Sequence, residues 1–250
     1  TKMRRLFYAG ELTEEIQITG ADAHHLAHVM RARCGDVFVV AGAGGKIARM
    51  AAVRIERGAV CLRRIEFLPS AAQCAAEVIL VQALLKGEKM DFVVQKAVEL
   101  GAAELRPIIT EHIVVRYDAK KAAAKMMRWQ RIADEAGKQC GRSTLMRVAP
   151  IVSFTEFLAD RAIFSAPDTA ILFCYEQEDM RSIRTVLSAC TASRIVLIVG
   201  AEGGFSGAEA EAFAAAGAEA VSLGQLILRA ETASITALAV TAYALGNLDI

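Results

Sequence analysis

The sequence predicts an α/β protein in which a small β-rich part, residues 1–70, precedes a larger part, residues 71–250, built on a parallel sheet. Three observations carry that expectation. From about residue 74 onward, short Val/Ile/Leu runs alternate with segments of helical periodicity, the pattern of parallel strands joined by crossover helices. Before residue 68 the apolar runs alternate with polar residues and are separated by glycine turns, as in a β meander. Two strand ends, RIVLIVGAEGGFS and AEAVSLGQLILRAET, run through glycine-containing turns into helix starts, where open parallel sheets bind ligands.

Taken in order, RRLFYAG (4–10) reads as a strand and DAHHLAHVMRA (22–32) as an amphipathic helix. Residues 36–67 alternate as a meander, with turns at 42–45 and 57–58, and PSAAQ (69–73) has the composition of a linker. The second part begins with the strand AEVILVQAL (76–84), the helix KGEKMDFVVQKAVELG (86–101) and the strand ELRPIITEHIVV (104–115). A long helix over 120–140, the strand AILFCY (170–175) and a helix over 179–190 follow. The strand RIVLIVG (194–200), a helix after Ser206, the strand AEAVSLG (218–224) and a helix over 230–245 complete the alternation.

Composition narrows the function classes. Hydrophobic residues make up 54% of the 250, yet charges interrupt every run before the roughly 18 apolar residues of a membrane span. The opening TKMRRLFYAGELTEE has no apolar core of a secretory signal, so a cytosolic protein is expected. Cys34, Cys61, Cys74, Cys140, Cys174 and Cys190 are scattered without a CxxC pair, and read as buried, reduced thiols. The net charge of +1 is uneven: 11 basic against 7 acidic residues in 1–68, and 10 against 4 in 106–147. Basic patches on a nearly neutral chain suit docking on a polyanion, although solvated helix faces give similar counts.

Four segments have the residue types for binding or chemistry. In VGAEGGFSGAE (199–209), Gly200, Gly203 and Gly204 are expected to take positive φ and admit a ligand close to the main chain, and Ser206 with Glu209 forms a capping box. Neither GxGxxG nor GxxxxGK[ST] is present, so dinucleotides and nucleoside triphosphates are not favoured. In SLGQLILRAETAS (222–234), Arg229, Glu231 and Thr232 stand at the start of an Ala-rich helix. They form either a structural Arg229–Glu231 pair with Thr232 as a cap, or a reaction site. In QALLKGEKMDFVVQKAVELGA (82–102), Lys86 and Lys89 at a helix start have the charge to hold phosphates, while Lys96 and Glu99 have the spacing of a surface pair. QCGR (139–142) closes the long helix with a glycine cap and places Arg142 where it can reach an anion. Without a neighbouring carboxylate or cysteine, His24, His25 and His28 are read as surface residues and no metal is expected. Trp129 is read as a packing anchor.

Together and in order, QALLKGEKMDFVVQKAVELGA, QCGR, IVGAEGGFS and LGQLILRAETA resemble the ribosomal RNA small subunit methyltransferase E family, SPOUT-type enzymes. RRLFY and HHLAHVMRARCGDVFVV resemble its N-terminal PUA-like domain, so the likeness spans nearly the whole chain. The resemblance implies a PUA-like RNA-binding β-barrel followed by an α/β domain tied in a trefoil knot that binds S-adenosylmethionine, usually as a homodimer. It implies methylation of ring nitrogen 3 of a uridine, uridine 1498, in bacterial 16S ribosomal RNA within the 30S subunit. Cofactor contacts carry over to Gly200, Glu202 and Gly203 in the first loop and to Leu223, Gly224 and Leu228 in the second. Ala201 stands where the family commonly has proline, and Leu226 where arginine is common.

Methylating that nitrogen requires removing its proton and stabilising the uracil anion. Arg229 is the first choice as anion stabiliser, Glu231 as orienter or base, and Thr232 as a positioning hydroxyl. RNA docking is assigned to Arg4, Arg5, Arg31, Lys86, Lys89, Arg116 and Arg142. An RNA-binding assembly protein that keeps the fold without catalysis is the alternative, against which the intact cofactor-loop residues argue. A nucleotide-dependent α/β enzyme lacks a phosphate motif.

Overall fold

The computed structural model describes residues 4–69, 76–113, 117–142 and 144–248. The chain divides into two compact units, 1–73 with 137–145, and 74–136 with 146–250.

The first unit contains β1 (Arg4–Phe7), β2 (Glu15–Thr19), α1 (Gly20–His24), β3 (Val37–Ala41), β4 (Ile47–Glu56) and β5 (Ala59–Leu68). Its sheet runs β1-β3-β4-β5-β2. The expected antiparallel meander is β3, β4 and β5, while β1 lies parallel to β3. β2 was not anticipated, because its alternation rests on just two apolar side chains, the buried Ile16 and Ile18. β1 and β2 are the sheet's edges, so the pairings among the described residues form an open sheet rather than a closed barrel. The helix expected over 22–32 is shifted. α1 runs from Gly20 into a π-helical turn, His25–Val29, and the chain then breaks at Arg31, whose φ of 49° is unfavourable within a helix. Leu26, Phe38, Met50, Val60 and Leu62 fill the core of this unit.

The second unit contains β6 (Glu77–Ala83), α2 (Lys89–Glu99), β7 (Glu104–Ile109), α3 (Ala119–Cys140, its residues from 137 clustering with the first unit), β8 (Arg147–Val148) and β9 (Val152–Ser153). Then come α4 (Phe154–Leu158), α5 (Arg161–Phe164), β10 (Thr169–Cys174), α6 (Ile183–Ala189), β11 (Arg194–Val199), α7 (Gly207–Ala215), β12 (Glu219–Val221) and α8 (Ala230–Ala244). The sheet order is β12-β10-β11-β6-β7-β8, with β9 also on β7, and every pairing is parallel. β6 and β11 are buried along nearly their whole length, as their unbroken apolar runs require of central parallel strands. Two-residue strands leave no periodicity to read, which is why β8 and β9 were missed. α4, by contrast, carries a readable signal, the capping box of Ser153 and Glu156.

α8 packs against α2, α6, β11 and β6. Within the same core Phe154, Phe157, Phe173, Phe205 and Phe213 pack ring against ring, with neighbouring centroids 5.0–6.5 Å apart. Trp129 is the anchor its position suggested. Its ring is buried on α3 and its Nε1–H donates to Asp91 of α2 at 3.0 Å. The buried Glu104 is held by Arg106 at 2.6 Å and Arg147 at 2.7 Å, the pairing a buried carboxylate needs. From β6 the next strand added is β7, on one side; from β11 it is β12, beyond β10 on the other. The β6/β11 boundary is therefore a topological switch point, where crevices open past the strands' carboxyl ends.

Candidate active site

The carboxyl ends of β10, β11 and β12 and the start of α8 enclose a cavity of about 390 Å³, which Lys89 reaches from the first turn of α2. A volume of this order accommodates a small organic cofactor. Val199, Phe205, Leu223, Leu226, Ile227 and Leu228 give it apolar walls, and Lys89, Glu176, Glu202 and Arg229 are its charged groups.

The loop after β11 turns tightly, with the Gly204 N–H on the Ala201 carbonyl at 3.0 Å. Of the three glycines expected to take positive φ, Gly204 does so, at 66°, whereas Gly200 and Gly203 do not. Those two are required by lack of space. A Cβ on Gly200 would lie 3.2 Å from the Gly204 backbone, and one on Gly203 would lie 2.8 Å from His112 Cβ. The Gly203 carbonyl accepts from His112 Nδ1–H at 2.9 Å, so this glycine faces His112 and is not among the cavity-lining residues. Downstream, the expected capping box forms. Glu209 accepts from Ser206 N–H at 3.0 Å and, through its other oxygen, from Glu111 N–H at 2.8 Å. Upstream, the fully buried Gln82 of β6 donates from Nε2 to the carbonyls of Gly200 at 3.2 Å, Val199 at 3.4 Å and Ala83 at 3.0 Å. Its Oε1 accepts from Ser234 Oγ on α8.

Lys89 Nζ lies 3.0 Å from Glu202 Oε1 and 3.3 Å from Glu231 Oε2. The second contact is an ion pair without hydrogen-bond geometry, and Glu231 Oε2 has no hydrogen-bond partner among the described residues. The hydrogen bond to Glu202 is the main cause that raises the Lys89 pKa above its ordinary value. For Glu202, burial pushes the carboxyl up, but bonds from Lys89, from its own backbone and from the Lys86 N–H outweigh it and hold it below the ordinary range. Arg229 is the N-cap residue of α8, exposed, and makes no ion pair among the described residues. The structural Arg229–Glu231 pair envisaged from sequence is thus replaced by Lys89–Glu231. Thr232 is exposed, does not cap α8 and does not line the cavity.

Gly200, Glu202, Leu223, Gly224, Leu228 and Arg229 therefore meet around one cavity. Sequence reading missed Cys174, Tyr175 and Glu176, which line it from the end of β10. A signal for them is present in the sequence, since AILFCY reads as a strand and ligands collect at strand carboxyl ends. Burial pushes the Cys174 thiol up to about 12. Iodoacetamide at pH 8 is therefore expected to label the exposed Cys34 and Cys140 and to spare Cys174, as read by peptide mass spectrometry. Equal labelling of Cys174 and Cys34 would show the thiol to be accessible. Cys61 is buried as expected, whereas Cys174 and Cys190 are partly exposed, Cys34 and Cys140 are exposed, and Cys74 lies outside the described residues.

The basic residues assigned to RNA are dispersed. Arg5, Arg31 and Arg142 belong to the first unit, Lys86 and Lys89 to the second, and Arg116 and the Arg4 side chain lie outside the described residues. Gly141 closes α3 as expected, with its N–H on the Gly137 carbonyl at 3.1 Å. Lys96 and Glu99 form the surface pair, at 2.7 Å. His24, His25 and His28 are exposed, and no metal-binding cluster occurs among the described residues.

A family model described as an RNA methyltransferase domain matches residues 72–242, which contain every cavity-lining residue. The ribosomal RNA small subunit methyltransferase E of Bacillus subtilis (strain 168) is 30% identical over 96% of both chains. The chain belongs to the ribosomal RNA small subunit methyltransferase E family. The protein of that name from Synechocystis sp. is 33% identical over 90% of this chain and 71% of its own length. The crystal structure of the Neisseria gonorrhoeae family member bound to S-adenosyl methionine superposes with a TM-score of 0.83, at 28% identity over 96% of this chain and 97% of that one. The parallel α/β unit is thus similar to the SPOUT-type methyltransferases. No helix among the described residues is long and apolar enough to cross a membrane.

Proposed function

We propose that this protein transfers a methyl group from S-adenosylmethionine to ring nitrogen 3 of a uridine, uridine 1498, in 16S ribosomal RNA of the 30S subunit, in the cytoplasm. The observation that carries the reading is the convergence of both glycine-containing loops on one cavity at the carboxyl ends of β10, β11 and β12. The residues present fit the cofactor. Backbone groups at Gly200, Leu223, Gly224 and Leu228 and the apolar walls suit an adenosine moiety, and Glu176 and Glu202 offer carboxylates to its cationic groups.

When bound, the cofactor supplies an electrophilic methyl group on a sulfonium centre. Arg229 then stabilises the negative charge that spreads onto the uracil carbonyl oxygens as the ring nitrogen loses its proton. A cavity carboxylate receives the proton; Glu202 and Glu176 line the cavity, and Glu231 stands behind Lys89. The target base reaches this depth by leaving its stack.

Residues 1–70 are assigned as a PUA-like RNA-binding domain, which contributes Arg4 and Arg5 of β1 and Arg31 of the connection before β3, and residues 71–250 as the methyltransferase domain. A trefoil knot accords with the path of α8, which returns from the edge strand β12 past β10 to pack on β11 and β6. Leu226 and Ile227, 81% and 87% exposed beside the cavity, suit burial by a second copy in a homodimer. Incubation with labelled S-adenosylmethionine and unmodified 30S subunits, followed by nucleoside mass spectrometry, is expected to yield 3-methyluridine. Cofactor binding with no methylated nucleoside would favour a non-catalytic RNA-binding role.

A further inference from the structure

Lys89 carries the charge of a phosphate ligand, but the fold uses that charge internally. Three segments far apart in sequence meet at its ammonium: the first turn of α2, the loop after β11 through Glu202, and the first turn of α8 through Glu231. The side chains are 36%, 30% and 16% exposed for Lys89, Glu202 and Glu231, so solvent screens this cluster incompletely. The two carboxylate oxygens lie no farther apart than the sum of their distances to Nζ. Without the lysine they would repel each other across the cavity rim, and Glu231 Oε2, which has no hydrogen bond among the described residues, would lose its compensating charge. With the lysine, the trio carries one net negative charge, which disfavours a phosphate at the same spot.

We propose that Lys89 is a positioning residue that clamps the loop after β11 to the start of α8, thereby presenting Arg229 to the cavity, and that it is not a contact for RNA phosphate. The inference rests on the reading of the cavity as the methyl-transfer site. Arg229 is the residue on which α8 begins, and Glu231 lies two positions later. A carboxylate held at Glu231 therefore fixes the rotation and height of the helix end from which the guanidinium extends. The partner on the other loop, Glu202, also accepts from the Lys86 N–H at 3.4 Å, so the clamp is rooted in the β6–α2 connection as well.

The test compares the full-length wild type with K89M, K89R, E231Q and K89M/E231Q. Cofactor affinity is measured by calorimetry, single-turnover transfer on 30S subunits by radiolabel, and RNA affinity as a function of salt. K89M is expected to slow transfer by roughly tenfold or more, the scale of a misplaced group. K89R is expected to recover most of the rate. In the cycle, K89M/E231Q should lose less than the product of the single losses, because removing the carboxylate relieves the charge left by removing the lysine. The slope of RNA affinity against salt should not change. A K89M protein with wild-type transfer and a slope reduced by about one would make Lys89 a phosphate ligand and overturn the clamp. If K89M melts below the assay temperature, K89Q reports in its place: a slowed transfer with an unchanged salt slope supports the clamp, and a wild-type rate with a slope reduced by about one overturns it. A wild type that binds no cofactor would remove the methyl-transfer reading itself, and the clamp's purpose with it.

Discussion

Replacing Arg229 with alanine is expected to lower the single-turnover rate of methyl transfer by about 10²–10³-fold, the cost of losing one group aimed at developing negative charge. Cofactor affinity should stay within a few-fold of wild type, and the melting temperature should be nearly unchanged. The combination follows from how the fold treats this side chain. Arg229 is exposed, makes no ion pair among the described residues and gives α8 no side-chain cap. Glu231, the partner that would have made it structural, is turned to Lys89. Surface substitutions with no such role shift stability by about 0.5 kcal/mol or less, so a large rate loss without a stability loss would be catalytic in origin. Arg229→Lys should fall between, because an ammonium keeps the charge but not the planar fork that meets flanking carbonyl oxygens. Single-turnover kinetics, calorimetric titration and differential scanning calorimetry on the same preparations separate the three quantities. A rate within about threefold of wild type would remove Arg229 from the reaction centre.

The architecture of the larger unit was legible because its strands are central and long. β6 and β11 announce themselves as unbroken apolar runs, and the capping box of Ser206 and Glu209 marks where the chain turns into α7. Elements of two to five residues, such as β2, β8 and β9, depend on pairing partners far along the chain, and no local pattern marks them. The site was half legible for a related reason. Its glycines and acidic loop residues advertise a ligand, but whether a glycine is needed for φ or for room depends on what packs against it. His112, the neighbour that decides the matter at Gly203, is 91 residues away. Lys89 shows the same limit with charge: its position at a helix start is visible in sequence, but the two carboxylates that occupy it come from positions 202 and 231.

The second large effect is expected at Gln82, a polar residue at the carboxyl end of the apolar strand β6. Gln82→Leu keeps the volume nearly constant and removes every polar contact. The carbonyls of Val199 and Gly200 lose a donor in a fully buried setting, and Ser234 Oγ is left with the Ala230 carbonyl at 2.9 Å as its acceptor. Each orphaned buried group costs about 1–3 kcal/mol, partly recovered where a carbonyl keeps another bond, so a net loss of about 2–3 kcal/mol is expected. For a chain of this size that corresponds to a melting temperature lower by about 5–10 °C. Ser234→Ala should cost less, about 1 kcal/mol, because it leaves Gln82 Oε1 without its donor while Gln82 Nε2 keeps its bonds to the loop. Cofactor affinity separates a general weakening of the core from a local one. Gln82 holds the carbonyl of Gly200 on one side and the first turns of α8 on the other, the two walls between which the cavity opens. Its loss should therefore weaken S-adenosylmethionine binding by roughly tenfold even well below the melting transition, because the loop must then be ordered by the ligand itself. A Gln82→Leu protein that melts with the wild type and binds the cofactor equally well would mean that the tight turn at Ala201 and the packing of Phe205 are sufficient to hold the loop.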